Sequence, residues 1–108
     1  MYLISFYVPD THVESVKQAL FNKGAGKFNR YDACSWQTPG RGEFRPLKGS
    51  RPFFGQQNKT CKLDEYKVEM VCREEFIIDV LETLVNVHPY EEPAYHVIKI
   101  MTLNDLKQ

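Results

Sequence analysis

His88, Glu91, Glu92 and His96 fall within nine residues. Imidazoles and carboxylates at that density are the ligand types of a borderline divalent ion such as zinc or copper. The same stretch, His88-Pro89-Tyr90-Glu91-Glu92-Pro93-Ala94-Tyr95, has two prolines four residues apart, which stop a helix and leave no amide donor at either position. Read structurally, the prolines fix a connector whose carboxylates accept hydrogen bonds from loop amides or arginines. The structural reading is preferred, because adjacent carboxylates point apart and metal ligands normally sit on rigid elements. Catalysis by the carboxylate pair ranks lower still, since no activated nucleophile can be identified, so the chain reads as a non-enzyme.

A second constellation lies upstream. Arg41, Arg45, Lys48, Arg51 and Lys59 face only Glu43, a local excess of four positive charges, with Gly40, Gly42, Gly49 and Gly55 among them. Basic groups beside flexible backbone suit an anion such as phosphate or a nucleotide, although the Gly-Lys-Ser/Thr ending of a P-loop is absent. Arg45 has an alternative role, pairing with Glu91 or Glu92 and so tying loop to connector, and for this residue the pairing ranks slightly ahead. The candidate ligand-binding set is therefore Arg41, Arg45, Lys48, Arg51, His88, Tyr90, Glu91, Glu92 and Tyr95. Phe44, Phe53 and Phe54 read as packing residues or subunit contacts.

These groups must be held by elements that periodicity reveals. Tyr2 to Val8 predicts a strand that is apolar on both faces, with Ile4, Phe6 and Val8 on one and Leu3 and Tyr7 on the other. Thr11-His12-Val13-Glu14 has the spacing of a capping box for a helix marked by Val13, Val16, Leu20 and Phe21 and stopped at Gly24. His12 reads as a solvated first-turn residue. Lys27 to Thr38 holds a second strand region centred on Tyr31 to Gln37, with Cys34 and Trp36 together on a core face. Pro39 to Lys59 has four glycines and three prolines, too long for a passive connection; Gly42 to Leu47 within it suits a short ribbon. Leu63 to Cys72 alternates cleanly, Phe76 to Val85 recurs at helical spacing up to a stop near His88, and Ala94 to Met101 predicts the last strand before a polar tail.

The order strand, helix, strand, long loop, strand, helix, strand predicts an α+β fold. It is a ferredoxin-like βαββαβ sandwich with a four-stranded antiparallel sheet and two helices on one face. The helix-free face of the first strand then needs a cover, which a symmetric oligomer would supply. One domain over residues 1–108 suits the length. Fourteen basic residues balance fourteen acidic ones, so no global field favours nucleic acid or an anionic membrane, and no apolar run approaches a membrane span. The N-terminus lacks a basic leader region, and three cysteines match no zinc or redox spacing; both point to a cytoplasmic protein with reduced thiols.

Gly42-Glu43-Phe44-Arg45-Pro46-Leu47, Gly49-Ser50-Arg51-Pro52, Phe53-Phe54-Gly55 and the His88 to Tyr95 run together resemble the paired signatures of one small domain. That domain is an insert in the Nif-three-like family of dinuclear-metal hexameric ring proteins and also occurs alone. It is similar in fold to CutA and the PII signalling proteins, which are ferredoxin-like and trimeric. The resemblance implies a homotrimer. It does not bring the dinuclear metal site, whose ligands lie in the flanking halves of the larger family, so no cofactor is expected. His96 stands where the family usually has Asp. The function expected is an oligomeric domain with a binding or regulatory role, sensing a small anionic ligand or a protein partner. The alternative is divalent-metal binding through His88, Glu91, Glu92 and His96.

Overall fold

Ile4, Phe6 and Val8 are fully buried and Leu3 and Tyr7 half-buried, because alternation along β1 (Tyr2–Pro9) sends the two sets to opposite faces. The computed structural model describes residues 1–107. After β1 come α1 (Val13–Asn22), β2 (Trp36–Phe44) and β3 (Cys61–Cys72), then a 3-10 turn at Glu74–Phe76, α2 (Ile77–Val87), β4 (Tyr95–Lys99) and a short α3 (Leu103–Leu106). The sheet runs β2-β3-β1-β4 with every neighbouring pair antiparallel. This is the expected ferredoxin-like α+β sandwich. Val16 and Leu20 of α1 and Val80 and Leu84 of α2 cover one sheet face and complete a core with Ile4, Phe6, Val8, Val68 and Met70. Gly24 ends α1 at φ 111°, where a Cβ would meet the Phe76 ring at 2.7 Å.

Register explains the elongated 52 × 24 × 24 Å outline. β1 pairs with β3 only down to Pro9↔Glu65, whereas β2 follows β3 on to Phe44↔Cys61. The ends of β2 and β3 therefore project past β1 as a two-stranded ribbon, with the loop from Arg45 to Thr60 at its tip.

Several expectations are corrected. The second strand begins at Trp36, because Asn29 and Ala33 adopt left-handed φ of 54° and 52° and break the chain's extension. It then runs through Pro39, Gly40 and Gly42, residues an edge strand tolerates. Trp36 is on the helix-free face and 68% exposed, so it is not core, and Cys34 precedes the strand. Helix α1 starts at Val13 with His12 as its N-cap and no side-chain cap. The Thr11 hydroxyl lies 2.8 Å from His12 Nδ1, and Glu14 pairs with Lys17, so neither half of the expected capping box forms. His12 is half-buried, its ring edge-on to Phe53. The polar tail contains α3, whose Thr102 and Asp105 do form a capping box; Gln108 lies outside the described residues. Cys34, Cys61 and Cys72 are all free thiols.

Candidate functional site

The connector is anchored from its first residue. Pro89 stops α2 by forcing His88 into extended backbone at ψ 136°, which swings the imidazole inward until only 5% of the residue is exposed. Its Nε2 lies 2.6 Å from the Tyr7 carbonyl, 81 residues away, and its Nδ1 lies 3.1 Å from the Tyr90 amide nitrogen. A carbonyl only accepts and an amide only donates, so Nε2 carries the proton and Nδ1 does not. Burial pushes the His88 pKa below its ordinary value, although the bond to Tyr7 opposes this, so the ring is neutral. A metal ion has no free nitrogen to take.

Tyr90 is the hub of the site. The rings of Phe44, Phe53, Phe54 and His88 surround it at centroid distances of 6.1, 6.5, 6.5 and 4.8 Å. Its hydroxyl donates to Glu65 Oε2 at 2.6 Å. Burial, and then that bond, push the Tyr90 phenol strongly upward, so it stays protonated and is no nucleophile. The Glu65 carboxylate lies over Gly42 on the neighbouring strand, and a Cβ at residue 42 would overlap it. A glycine inside a strand is thus explained by close approach.

The loop is tied to the connector by main chain rather than by an ion pair. The Arg51 amide donates to both Glu91 oxygens, at 3.2 and 3.3 Å. The expected pairing of Arg45 with Glu91 or Glu92 is not among the ion pairs of the described residues. The physical reason lies in the turn at residues 47–50, closed by the Ser50 amide and hydroxyl on the Leu47 carbonyl, which presents the next amide to Glu91. A carboxylate is satisfied by an amide without ordering a long guanidinium side chain.

Between ribbon, loop, connector and the end of β1 lies a cleft of about 480 Å³, walled by residues that include Tyr7, Phe44, Phe53 and Tyr90. Of the nine candidate residues, Arg45, Tyr90, Glu91 and Glu92 line it. Arg41 and Lys48 are exposed elsewhere, Arg51 contributes its amide, and His88 lies behind Tyr90. Tyr95 is on the opposite sheet face beside Leu81 and Val85, since it pairs with the core residue Phe6. His96 pairs with Ser5 on the helix-free face, one residue out of phase with Tyr95. The metal set of His88, Glu91, Glu92 and His96 is therefore not gathered, and no group of three or more His, Cys, Asp or Glu converges among the described residues. Glu65 and Tyr7 belong to the site but had no signal in the sequence, whereas Gly42, expected to give a ligand close approach to the backbone, gives room to the Glu65 carboxylate instead.

Comparison with known proteins adds a relationship. The chain is 37% identical over 95 residues to the GTP cyclohydrolase 1 type 2 homolog of Halalkalibacterium halodurans, covering 88% of this chain and 26% of that protein. Among solved structures, a Bacillus cereus protein related to NIF3 superposes with a TM-score of 0.75 at 31% identity, over 89% of this chain and 24% of the other. CutA1 from Pyrococcus horikoshii gives 0.67 at 20% identity over 99% and 92% of the two chains, a likeness of fold alone. No family model matches the chain. The chain thus spans about a quarter of the length of the curated relatives it matches. No helix among the described residues is long and apolar enough to cross a membrane.

Proposed function

We propose that this segment, homologous to about a quarter of the Nif-three-like proteins and folded like CutA, is a self-associating binding domain that holds a small ligand in the Tyr90 cleft. The observation that carries the reading is the cleft itself, assembled from four chain segments and clamped by bonds spanning 25, 40 and 81 residues. Ordering four segments around an aromatic-lined hollow suits recognition, since apolar walls with a few placed polar groups are the usual make-up of a ligand site. Self-association is supported by the helix-free face, where Trp36 and Ile98 are exposed, Leu3 and Val71 half-buried, and no helix among the described residues packs as α1 and α2 do on the core face. A threefold arrangement is the one the resemblance to CutA and PII implies.

A thermal-shift screen of metabolites and nucleotides tests the ligand reading. A compound that binds the folded state should raise the unfolding midpoint of the protein and lose that effect with Phe53→Ala. No stabilising compound, or one whose effect survives Phe53→Ala, would refute the cleft as the site. Light scattering at micromolar concentration tests assembly, and a clean monomer would exclude it.

A further inference from the structure

The cleft has a charge that the chain as a whole lacks. Acidic and basic residues balance over the full sequence. The cleft walls, however, set Glu43, Glu65, Glu91 and Glu92 against Arg45 alone. Glu65 accepts a neutral phenol and Glu91 a neutral amide, so neither bond removes negative charge. Glu43 reaches Lys62 only at 3.9 Å on the exposed ribbon. The basic residues Arg41, Lys48 and Arg51 do not line the cleft.

The walls add a second preference. Phe53 stands 4.5 Å from Phe54 and 6.5 Å from Tyr90, centroid to centroid, and Phe44 stands 6.1 Å from Tyr90. Ring faces are negative, and they attract cations most strongly where water is displaced. An anion would meet repulsion from the carboxylates. A neutral ligand without donors would desolvate them without replacing their hydrogen bonds, and one with donors would leave their charge unbalanced. A bare metal ion would need ligands that do not converge here. The volume, about 480 Å³, is in the range of sites for small organic molecules.

We infer that the cleft takes a small organic cation, an amidinium, guanidinium or alkylammonium group on a flat apolar body. This rests on the cleft being the recognition site and names the class of its ligand. The rings of Phe44, Phe53 and Tyr90 hold the apolar body, and Glu91 and Glu92 meet the charge. The Tyr90 hydroxyl, already donating to Glu65, also holds that carboxylate in the cleft wall.

Three isosteres separate charge from shape: benzamidine, benzamide and benzoate, each titrated into the protein and followed by the amide resonances of Gly42, Phe53 and Tyr90. Benzamidine should shift them saturably, with an affinity that falls as salt is raised. Glu92→Gln, which removes a carboxylate that makes no hydrogen bond among the described residues, should weaken it about threefold, and Glu91→Gln/Glu92→Gln about tenfold. Benzoate or benzamide saturating the same resonances at equal or lower concentration would overturn the cation assignment while leaving the cleft a binding site. Loss of benzamidine binding in Phe53→Ala but not in the carboxylate variants would overturn it likewise. If none of the three compounds moves these resonances, the inference falls; a metabolite that stabilises the protein and loses its effect in Phe53→Ala would show the cleft reading surviving that failure.

Discussion

His88 and Glu91 sit three residues apart in one connector, yet they hold it in opposite ways. His88 is buried, with both ring nitrogens bonded to main chain of β1 and of the connector itself. Glu91 is exposed and ties the connector to the 45–60 loop through a single amide. Bonds made in a dry setting cost much to break, because the partners left behind cannot turn to water; bonds at the surface exchange with water at little cost. The inner half of the connector is therefore a fixed floor, and the outer half is a rim free to adjust around a ligand.

The largest break in that comparison should come from His88→Ala. It strands the Tyr7 carbonyl and the Tyr90 amide, and should cost about 2–4 kcal/mol in denaturant unfolding. A loss comparable to that of Glu91→Gln would erase the distinction. Next comes Gly42→Ala, which drives the Glu65 carboxylate off the ribbon and from the Tyr90 hydroxyl, for about 1–3 kcal/mol. Tyr90→Phe removes the same bond from its other end and should cost about 1–2 kcal/mol. Combined with Gly42→Ala it should cost clearly less than the sum, since both act on one contact. Strict additivity would separate Gly42 from the Glu65 bond.

Acid gives a graded version of the same test. The folded His88 pKa lies below the 6.5 of the free side chain, so the unfolded chain takes up the proton first. Stability should be unaffected by this group above about pH 6.5 and should fall as pH drops from there towards the folded value. The pH slope between 6.5 and 5 should flatten in His88→Ala; an unchanged slope would assign it to other groups. The smallest effect belongs to Glu91→Gln, under about 1 kcal/mol by unfolding. It should be visible instead as faster exchange of the Arg51 amide proton.

Much of the fold lay open in the sequence. The alternation of Ile4, Phe6 and Val8 against Leu3 and Tyr7, the helical spacing of Val80 and Leu84, and the stop imposed by Pro89 are local patterns, and side-chain period alone assigns them. With the two proline-flanked motifs they were enough for the βαββαβ order and for the resemblance to the Nif-three-like insert. Tertiary structure decided who meets whom. Trp36 faces outward because register sets it opposite Glu69 and in line with Ser5, out of phase with the core residues Ile4 and Phe6. Arg45 yields Glu91 to the Arg51 amide because the geometry of a turn, rather than charge, brings that donor within reach. Glu65 joins Tyr90 only because register sets it opposite Pro9 at the end of β1 and Gly42 leaves space above it. Periodicity is a property of neighbours along the chain; a cleft depends on register between strands that are distant in sequence, and that is fixed only when the sheet closes.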